Sequence, residues 1–410
     1  MSNSISELIE SKRVVVCCGA GGVGKTTVSA SIALAAARAG QRVVVVTIDP
    51  SKRLAESLGI SPNQAAPVEL DGSRWGIEAP GSLSAWLLDP KLVADHVVRN
   101  WSDDKGAADK LLGNRIYEAA SNMISGMQEY TAVEALHGFV IDGRYDLVVL
   151  DTPPSRNALR FLDSPTRIHQ VLNPRVFKLF LPSSGGPLQR GARRVINGVL
   201  DLGLGKTQRV EFQEFLLLFQ GILGHLKHNQ DEVQAFFRGP EVSFLLVSSP
   251  AREAVQEAFY FEQKTRELDL ELGGYVLNRS MAWAQGHQMP GDVKLPDDAP
   301  DALRSALTKL IPLAKKEQAL VREHVGLAHE LEDRVGKDGI VRVLPQLAGD
   351  AGDAEALMGL SRMLVSAGST PPPRTGIEIP DGGPGGRPMS IPPPDALPPS
   401  ESWFPPPDES

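Results

Sequence analysis

Residues 14–27 read VVVCCGAGGVGKTT, and this stretch decides the fold. Five apolar residues, Val14 to Cys18, form a run too short for a helix and of the type that a parallel sheet buries on both faces. Gly19-Ala20-Gly21-Gly22-Val23-Gly24-Lys25-Thr26 then fits G-x-x-x-x-G-K-[ST], and an alanine-rich segment through Ala37 has the composition of a helix. Strand, glycine loop and helix in that order predict a phosphate-binding loop. Its glycines let successive backbone N–H groups turn inward around a polyphosphate. In this reading Gly21, Gly22, Val23 and Gly24 cradle the phosphates, and Lys25 reaches the β- and γ-phosphates. The Thr26 hydroxyl ligates Mg²⁺, and Thr27 meets the α-phosphate at the positive end of the helix. A second GKT, Gly205-Lys206-Thr207, has Leu200 where the first glycine is needed and no buried strand before it, and is read as a coincidence.

Outward from the loop, short apolar runs recur at 43–46, 145–150, 242–247, 274–277 and 339–344, with helical stretches between them. Such alternation predicts an α/β architecture, a P-loop NTPase with a mostly parallel sheet flanked by helices. Ligands gather at the carboxyl ends of parallel strands, and two acidic residues, Asp49 and Asp151, close two of the runs. Asp151 is placed to hold Mg²⁺ through water, and Asp49 to orient a water attacking the γ-phosphate. The stiff Thr152-Pro153-Pro154-Ser155 is expected to report loss of that phosphate to the segment that follows. Two stretches, about 90–138 and 160–238, break the rhythm and predict helical insertions. In the second, Phe212, Phe215, Leu216, Phe219, Ile222, Leu223 and Leu226 form a helix-period stripe, which Leu217 and Leu218 widen.

The chain has 410 residues, 42% hydrophobic and 22% charged, enough for a large core. A net charge of −8 speaks against a broad nucleic-acid-binding surface. The two cysteines, Cys17 and Cys18, build no disulfide framework and suit a reducing compartment. With no apolar leader and no run of about 18 apolar residues, a cytoplasmic protein without a membrane span is expected. Of 32 prolines, 14 lie beyond residue 370. Residues 366–410 therefore read as a disordered, proline-rich tail. Its end, Trp403-Phe404-Pro405-Pro406-Pro407, is either a docking peptide or part of a solubilising segment.

GAGGVGKTT at 19–27, TIDPSKRLAESLG at 47–59, DLVVLDTPPSRNALRFLD at 146–163 and SSPAREAVQEA at 248–258 together resemble the ArsA-type ATPases. These are the arsenical pump-driving enzymes and their tail-anchored-protein-targeting relatives, within the deviant Walker A group. The resemblance covers about residues 13–365. It implies one ATPase domain over 1–365, with ATP and Mg²⁺ as cofactors and a homodimer holding nucleotide at its interface. It further implies that Asp49 activates water in switch I and that Asp151 lies in switch II. By the same resemblance Asn278 reads adenine, which an amide suits by offering both a donor and an acceptor, while Pro345 and Gln346 border the base. An unidentified protein client or membrane-protein partner is implied as well. In the targeting relatives paired helical segments form an apolar groove. Here the 212–226 stripe, residues 176–181, Met123 and Met127 either contribute to such a groove or pack the helices on one another.

The departures from the family pattern are specific. The interfacial lysine of the family falls at Ala20, which supplies no charge. Arg53 and Arg156 lie near the switches and are candidates to replace it. Metalloid binding needs soft thiolates, yet adjacent cysteines on a strand point to opposite faces. His225 and His228, three apart on a helix, lack further metal ligands. One phosphate loop per chain leaves the second site to a second copy. Two rival readings follow. One is a nucleotide-dependent binding switch with very weak hydrolysis. The other is a partitioning or septum-site positioning ATPase, which the acidic balance opposes.

Overall fold

The structure, a computed structural model, describes residues 4–48, 53–60, 66–102, 104–118, 127–153, 198, 201–202, 205–285, 294–336, 339–346, 354–366 and 371. Among them eight strands form one sheet: β1 (Val14–Cys18), β2 (Arg42–Thr47), β3 (Val68–Glu69), β4 (Ser82–Leu87), β5 (Leu147–Asp151), β6 (Val242–Ser248), β7 (Leu272–Leu277) and β8 (Ile340–Val343). Their order is β3-β4-β2-β5-β1-β6-β7-β8. Every neighbouring pair is parallel except β3 with β4. The α/β architecture expected from the alternation is present.

The strand inventory needs a correction, because the apolar runs in the sequence mark six strands and miss β3 and β4. The cause lies in Ser82 and Ser84, which interrupt the run in SLSAWL. Ser84 is nevertheless buried, and β4 pairs with β2 along six residues, from Arg42 with Ser82 to Thr47 with Leu87. Hydroxyls of this size are tolerated inside when the backbone ladder around them is complete.

Helix α1 (Ile5–Ser11) starts at a reciprocal cap, in which the Ser4 hydroxyl accepts from the Glu7 N–H and the Glu7 carboxylate accepts from the Ser4 N–H. The next helix, α2 (Lys25–Arg38), is buried at every residue from 28 to 37. A helix buried all round must lie between layers. It does so, with the sheet on one side and the last described helix, α11 (Ala354–Val365), packed against it. Alanines at 30, 33, 35, 36 and 37 let the backbones approach closely. The short α3 (Arg53–Leu58) and α4 (Gly72–Trp75) sit on the β2–β4 side, where Trp75 joins the same core.

Helices α5 (Pro90–Trp101), α6 (Lys105–Leu112), α7 (Met127–Asp142) and α8 (Lys206–Phe237) pack on one another. Phe215, Leu216 and Phe219 of α8 are buried, and the rings of Phe215 and Phe219 stack at 5.3 Å. This part of the apolar stripe is helix packing, while Val210 and Leu217, seven apart, are exposed. The Tyr117 hydroxyl donates to Asp95 Oδ1 of α5 at 2.9 Å, and the Asn114 amide donates to the Glu211 carbonyl of α8 at 3.1 Å. Gly205 is the N-cap of α8, so the second GKT belongs to the first turn of a helix. Residues 176–181, Met123 and the side chains of Met127, Ile222, Leu223, His225, Leu226 and His228 lie outside the described residues.

The other end of the sheet carries α9 (Arg252–Glu267) and α10 (Asp301–Val335). They meet around one buried carboxylate. Glu262, 1% exposed, accepts at Oε2 from the Tyr275 hydroxyl at 2.7 Å and from Arg334 Nε at 2.7 Å, and it also pairs with Arg266. The Arg334 guanidinium lies over the Phe259 ring at 3.7 Å. Burial, reinforced by the neighbouring carboxylate, raises the Tyr275 pKa, so its proton stays on as the donor. One side chain thus joins α9, β7 and α10. Glu262→Ala is expected to cost about 2 kcal/mol in urea unfolding, below the loss for wholly buried pairs because both arginines reach solvent. An unchanged midpoint would show that the cluster is not structural.

Candidate nucleotide site

Strand β1 lies between β5 and β6, and the two halves of the sheet extend from it in opposite directions. The crevice beyond its carboxyl end is where an open α/β sheet binds ligands. The glycine loop fills that crevice. Gly19 has φ +152°, and a Cβ there would stand 2.0 Å from the Val247 carbonyl oxygen of β6, so only glycine lets the loop leave the sheet here. Gly24 has φ +90° and caps α2 without a side chain, and a Cβ on it would stand 2.3 Å from Asn278 Nδ2. Gly21 and Gly22 are exposed, while Val23 is buried under the loop.

The register brings the predicted residues together. Asp151 stands opposite Cys17 of β1 and Thr47 of β2. Its Oδ2 accepts from the Thr26 hydroxyl at 2.8 Å and from the Thr47 hydroxyl at 3.0 Å, and the residue is wholly buried. Lys25 is also buried, its Nζ donating to the Ala20 carbonyl at 2.7 Å within the loop. The site thus gathers an ammonium, two hydroxyls and a carboxylate at the amino end of α2, where the helix dipole adds positive potential. All the oxygen donors are hard ones, which suits Mg²⁺ rather than a soft metal. Thr27 is half-buried in the first turn. Thr152 fixes the start of the next segment, donating from its hydroxyl to the Cys17 carbonyl at 2.7 Å.

Asn278 reaches the loop from the far side. Its Nδ2 donates to the Val23 carbonyl at 2.8 Å, and its own N–H donates to the Ser248 carbonyl at 2.8 Å. Two residues on, the Ser280 N–H donates to Leu344, and the Met281 N–H donates to His324 Nδ1 of α10 at 2.8 Å. Burial holds the His324 pKa below its ordinary value, so Nδ1 remains an acceptor. Pro345 and Gln346 follow Leu344 directly, at the same end of the sheet as Asn278.

Asp49 and Arg156 lie outside the described residues, as does the Arg53 side chain at the start of α3. Three contributors escaped the sequence reading. Thr47 and Thr152 were visible only as parts of longer motifs, although a threonine at a strand end beside an aspartate is the available signal. The Asn278 bond to the loop joins residues 255 apart and has no local signature. Ala20 is buried in the core, and its methyl takes the position of the expected interfacial charge. Among the described residues no three His, Cys, Asp or Glu side chains cluster as metal ligands, and no helix is long and apolar enough to cross a membrane.

Comparison with known proteins gives a consistent answer over the first part of the chain. Residues 12–184 match the family described as anion-transporting ATPase. "ATPase ASNA1 homolog 1" of Paramecium tetraurelia is 30% identical over 163 residues, covering 38% of this chain and 44% of that protein. "ATPase GET3" of Malassezia globosa is 28% identical over 181 residues, 44% of this chain and 50% of that protein. "ATPase ARSA1" of Chlamydomonas reinhardtii is 24% identical over 311 residues, 68% of this chain and 36% of that protein. The chain therefore spans half or less of the length of these curated relatives.

The cysteines supply a prediction at this site. Both are fully buried, and burial, ahead of the nearby charges, pushes each thiol up to about 12 from 9.0. The native thiols hold their protons where unfolded thiols lose them, so their contribution to stability is complete below pH 9 and is lost as pH rises towards 12. Unfolding midpoints should fall across that window, and Cys17→Ser/Cys18→Ser should flatten the fall. Native protein at pH 8 should resist a thiol-specific dye that labels both residues once it is unfolded. Rapid native labelling would contradict the burial.

Proposed function

We propose that this chain, whose residues 12–184 match the family described as anion-transporting ATPase, binds MgATP and hydrolyses it to drive a conformational cycle. The observation that carries this reading is Asp151, a buried carboxylate that receives the hydroxyls of both Thr26 and Thr47 beside Lys25. That arrangement supports a bound nucleotide–metal pair and has no simpler use at the mouth of a glycine loop.

In this proposal the loop amides from Gly21 to Thr26 surround the polyphosphate, and Lys25 exchanges the Ala20 carbonyl for phosphate oxygens. Thr27 sits at the α-phosphate. Thr26 and Asp151, whose side chains already meet, would hold Mg²⁺. When bound, the ion neutralises charge on the β- and γ-phosphates. Asp49 orients the attacking water and accepts its proton as the terminal phosphoanhydride breaks, leaving ADP and phosphate. Loss of the γ-phosphate frees the segment after Thr152, which is tied to β1 through the Cys17 carbonyl. Asn278 presents its remaining amide capacity to the adenine edge, and the backbone at Pro345 borders the ring. A homodimer supplies the second site, and the work is done on a protein or membrane-protein partner in the cytoplasm. In this proposal arsenite is not the cargo, since the two cysteines are buried and, adjacent on β1, point to opposite faces of the sheet.

A second reading is favoured by one observation. Ala20 contributes no charge across an interface, so hydrolysis is slow and the nucleotide acts chiefly as a switch. A steady-state ATPase assay separates the two. Under the first, wild type turns over at least about tenfold faster than Lys25→Ala or Asp49→Asn, a margin of about 1.4 kcal/mol in barrier. Asp49→Asn retains ATP binding, whereas Lys25→Ala loses most of it. Wild-type turnover equal to both variants, with ATP binding intact, favours the switch. Absence of ATP binding to wild type refutes both.

A further inference from the structure

Strand β2 reads RVVVVT, and Thr47 is its one uncharged polar residue, at the end where the buried run closes on the site. A fifth valine would suit a strand covered on both faces better, because a buried hydroxyl is costly until it is hydrogen-bonded. Thr47 is 1% exposed, and its hydroxyl donates to Asp151 Oδ2 at 3.0 Å. Thr26 donates to the same oxygen at 2.8 Å. The two donors differ in what else they reach. Thr26 stands in the first turn of α2 and is half-buried, so a ligand in the crevice can meet it. Thr47 lies inside the sheet, closed to solvent, and acts on the crevice through Asp151.

The backbone under Thr47 is held from both sides. The residue is the register partner of Leu87 on β4 and of Asp151 on β5. Its carbonyl accepts from the Leu88 N–H at 3.1 Å, and the next residue, Ile48, donates its N–H to the Asp151 carbonyl at 3.2 Å. Register partners on neighbouring strands point to the same face, so hydroxyl and carboxylate meet without either backbone moving. A β-branched side chain has little freedom at χ1, which fixes the direction of the donor. An aspartate carboxylate, by contrast, turns broadly about its last torsion. Held by the loop hydroxyl alone, it would follow the loop. The second hydroxyl, on a fixed strand, gives it a reference that the loop does not control.

We propose that Thr47 is a positioning residue for the metal, its hydroxyl holding the Asp151 carboxylate in the orientation that receives Mg²⁺ beside Thr26. The ion then meets a preset oxygen instead of one that it must first turn. This role rests on the reading of the crevice as a nucleotide–metal site, and adds to it a residue that touches neither nucleotide nor ion. A hydroxyl present only to satisfy a buried carboxylate would affect folding and leave the metal affinity of the folded protein unchanged.

Binding of Mn²⁺ to the full chain with β,γ-imido-ATP, followed by the electron paramagnetic resonance signal of the free ion, tests the role without turnover. Thr47→Val keeps the shape and loses the donor, and should weaken Mn²⁺ binding about tenfold, the scale on which groups that orient a metal ligand act. Metal-free binding of the analogue should stay as in wild type. Thr47→Ser should recover most of the affinity, and Thr47→Cys, a weaker donor, should fall between. If the wild type hydrolyses ATP, turnover of Thr47→Val should need about tenfold more Mg²⁺ and return to the wild-type rate at saturating metal. Wild-type Mn²⁺ affinity in Thr47→Val overturns the proposal, with or without a lower melting temperature. So does a Thr47→Ser no better than Thr47→Val, or a loss of turnover that saturating Mg²⁺ does not restore. If Thr47→Val does not fold, Thr47→Cys carries the same comparison. Wild type that takes up no Mn²⁺ with the analogue refutes the metal site itself, whereas wild-type uptake with an insensitive Thr47→Val refutes the role of Thr47 alone.

Discussion

Burying a carboxylate is costly unless hydrogen bonds offset it, and the centre of this molecule is arranged around Asp151, whose Oδ2 accepts two of them. Its partners come from three elements: Thr26 at the start of α2, Thr47 at the end of β2, and the β1–β5 register that sets Asp151 beside Cys17. None can shift by a residue without stranding the others, since a one-residue slip turns each strand side chain to the opposite face. The loop above it has equally little freedom. Gly19 lies against the Val247 carbonyl and Gly24 against the Asn278 amide, so the backbone path is confined on both sides. The rest of the fold, with α2 enclosed between the sheet and α11, holds that geometry in place.

Much of this was legible from residues 14–27 and from the strand end at Asp151, because local order and the topology of parallel sheets convert directly into position. What escaped did so for physical reasons. β4 is buried on both faces but carries two serines, so hydropathy alone hides it. The stripe around Phe215 suits either a client groove or a core, with packing the simpler reading. Only the burial of Phe215, Leu216 and Phe219 among neighbouring helices decides for packing there. Asn278 stood out in sequence through a family resemblance, yet its bond to the Val23 carbonyl follows from tertiary geometry that no spacing encodes.

The departures from the family pattern acquire a structural meaning. The cysteine pair and Ala20 all belong to the packed interior around β1. An interior role constrains size and polarity rather than reactivity. Cys17, Cys18 and Ala20 thus contribute packing at the base of the glycine loop, beside the cluster around Asp151.

The run from Asn278 to Met281 has a consequence of its own. Within four residues it touches the phosphate loop, the end of β8 and, through His324, the middle of α10. It ties three elements together by hydrogen bonds, and the helix it reaches has its other half in solvent. An insertion into this run would separate the glycine loop from β8 and α10. Whatever the outer half of α10 engages, its orientation is set by the same four residues that grip the loop.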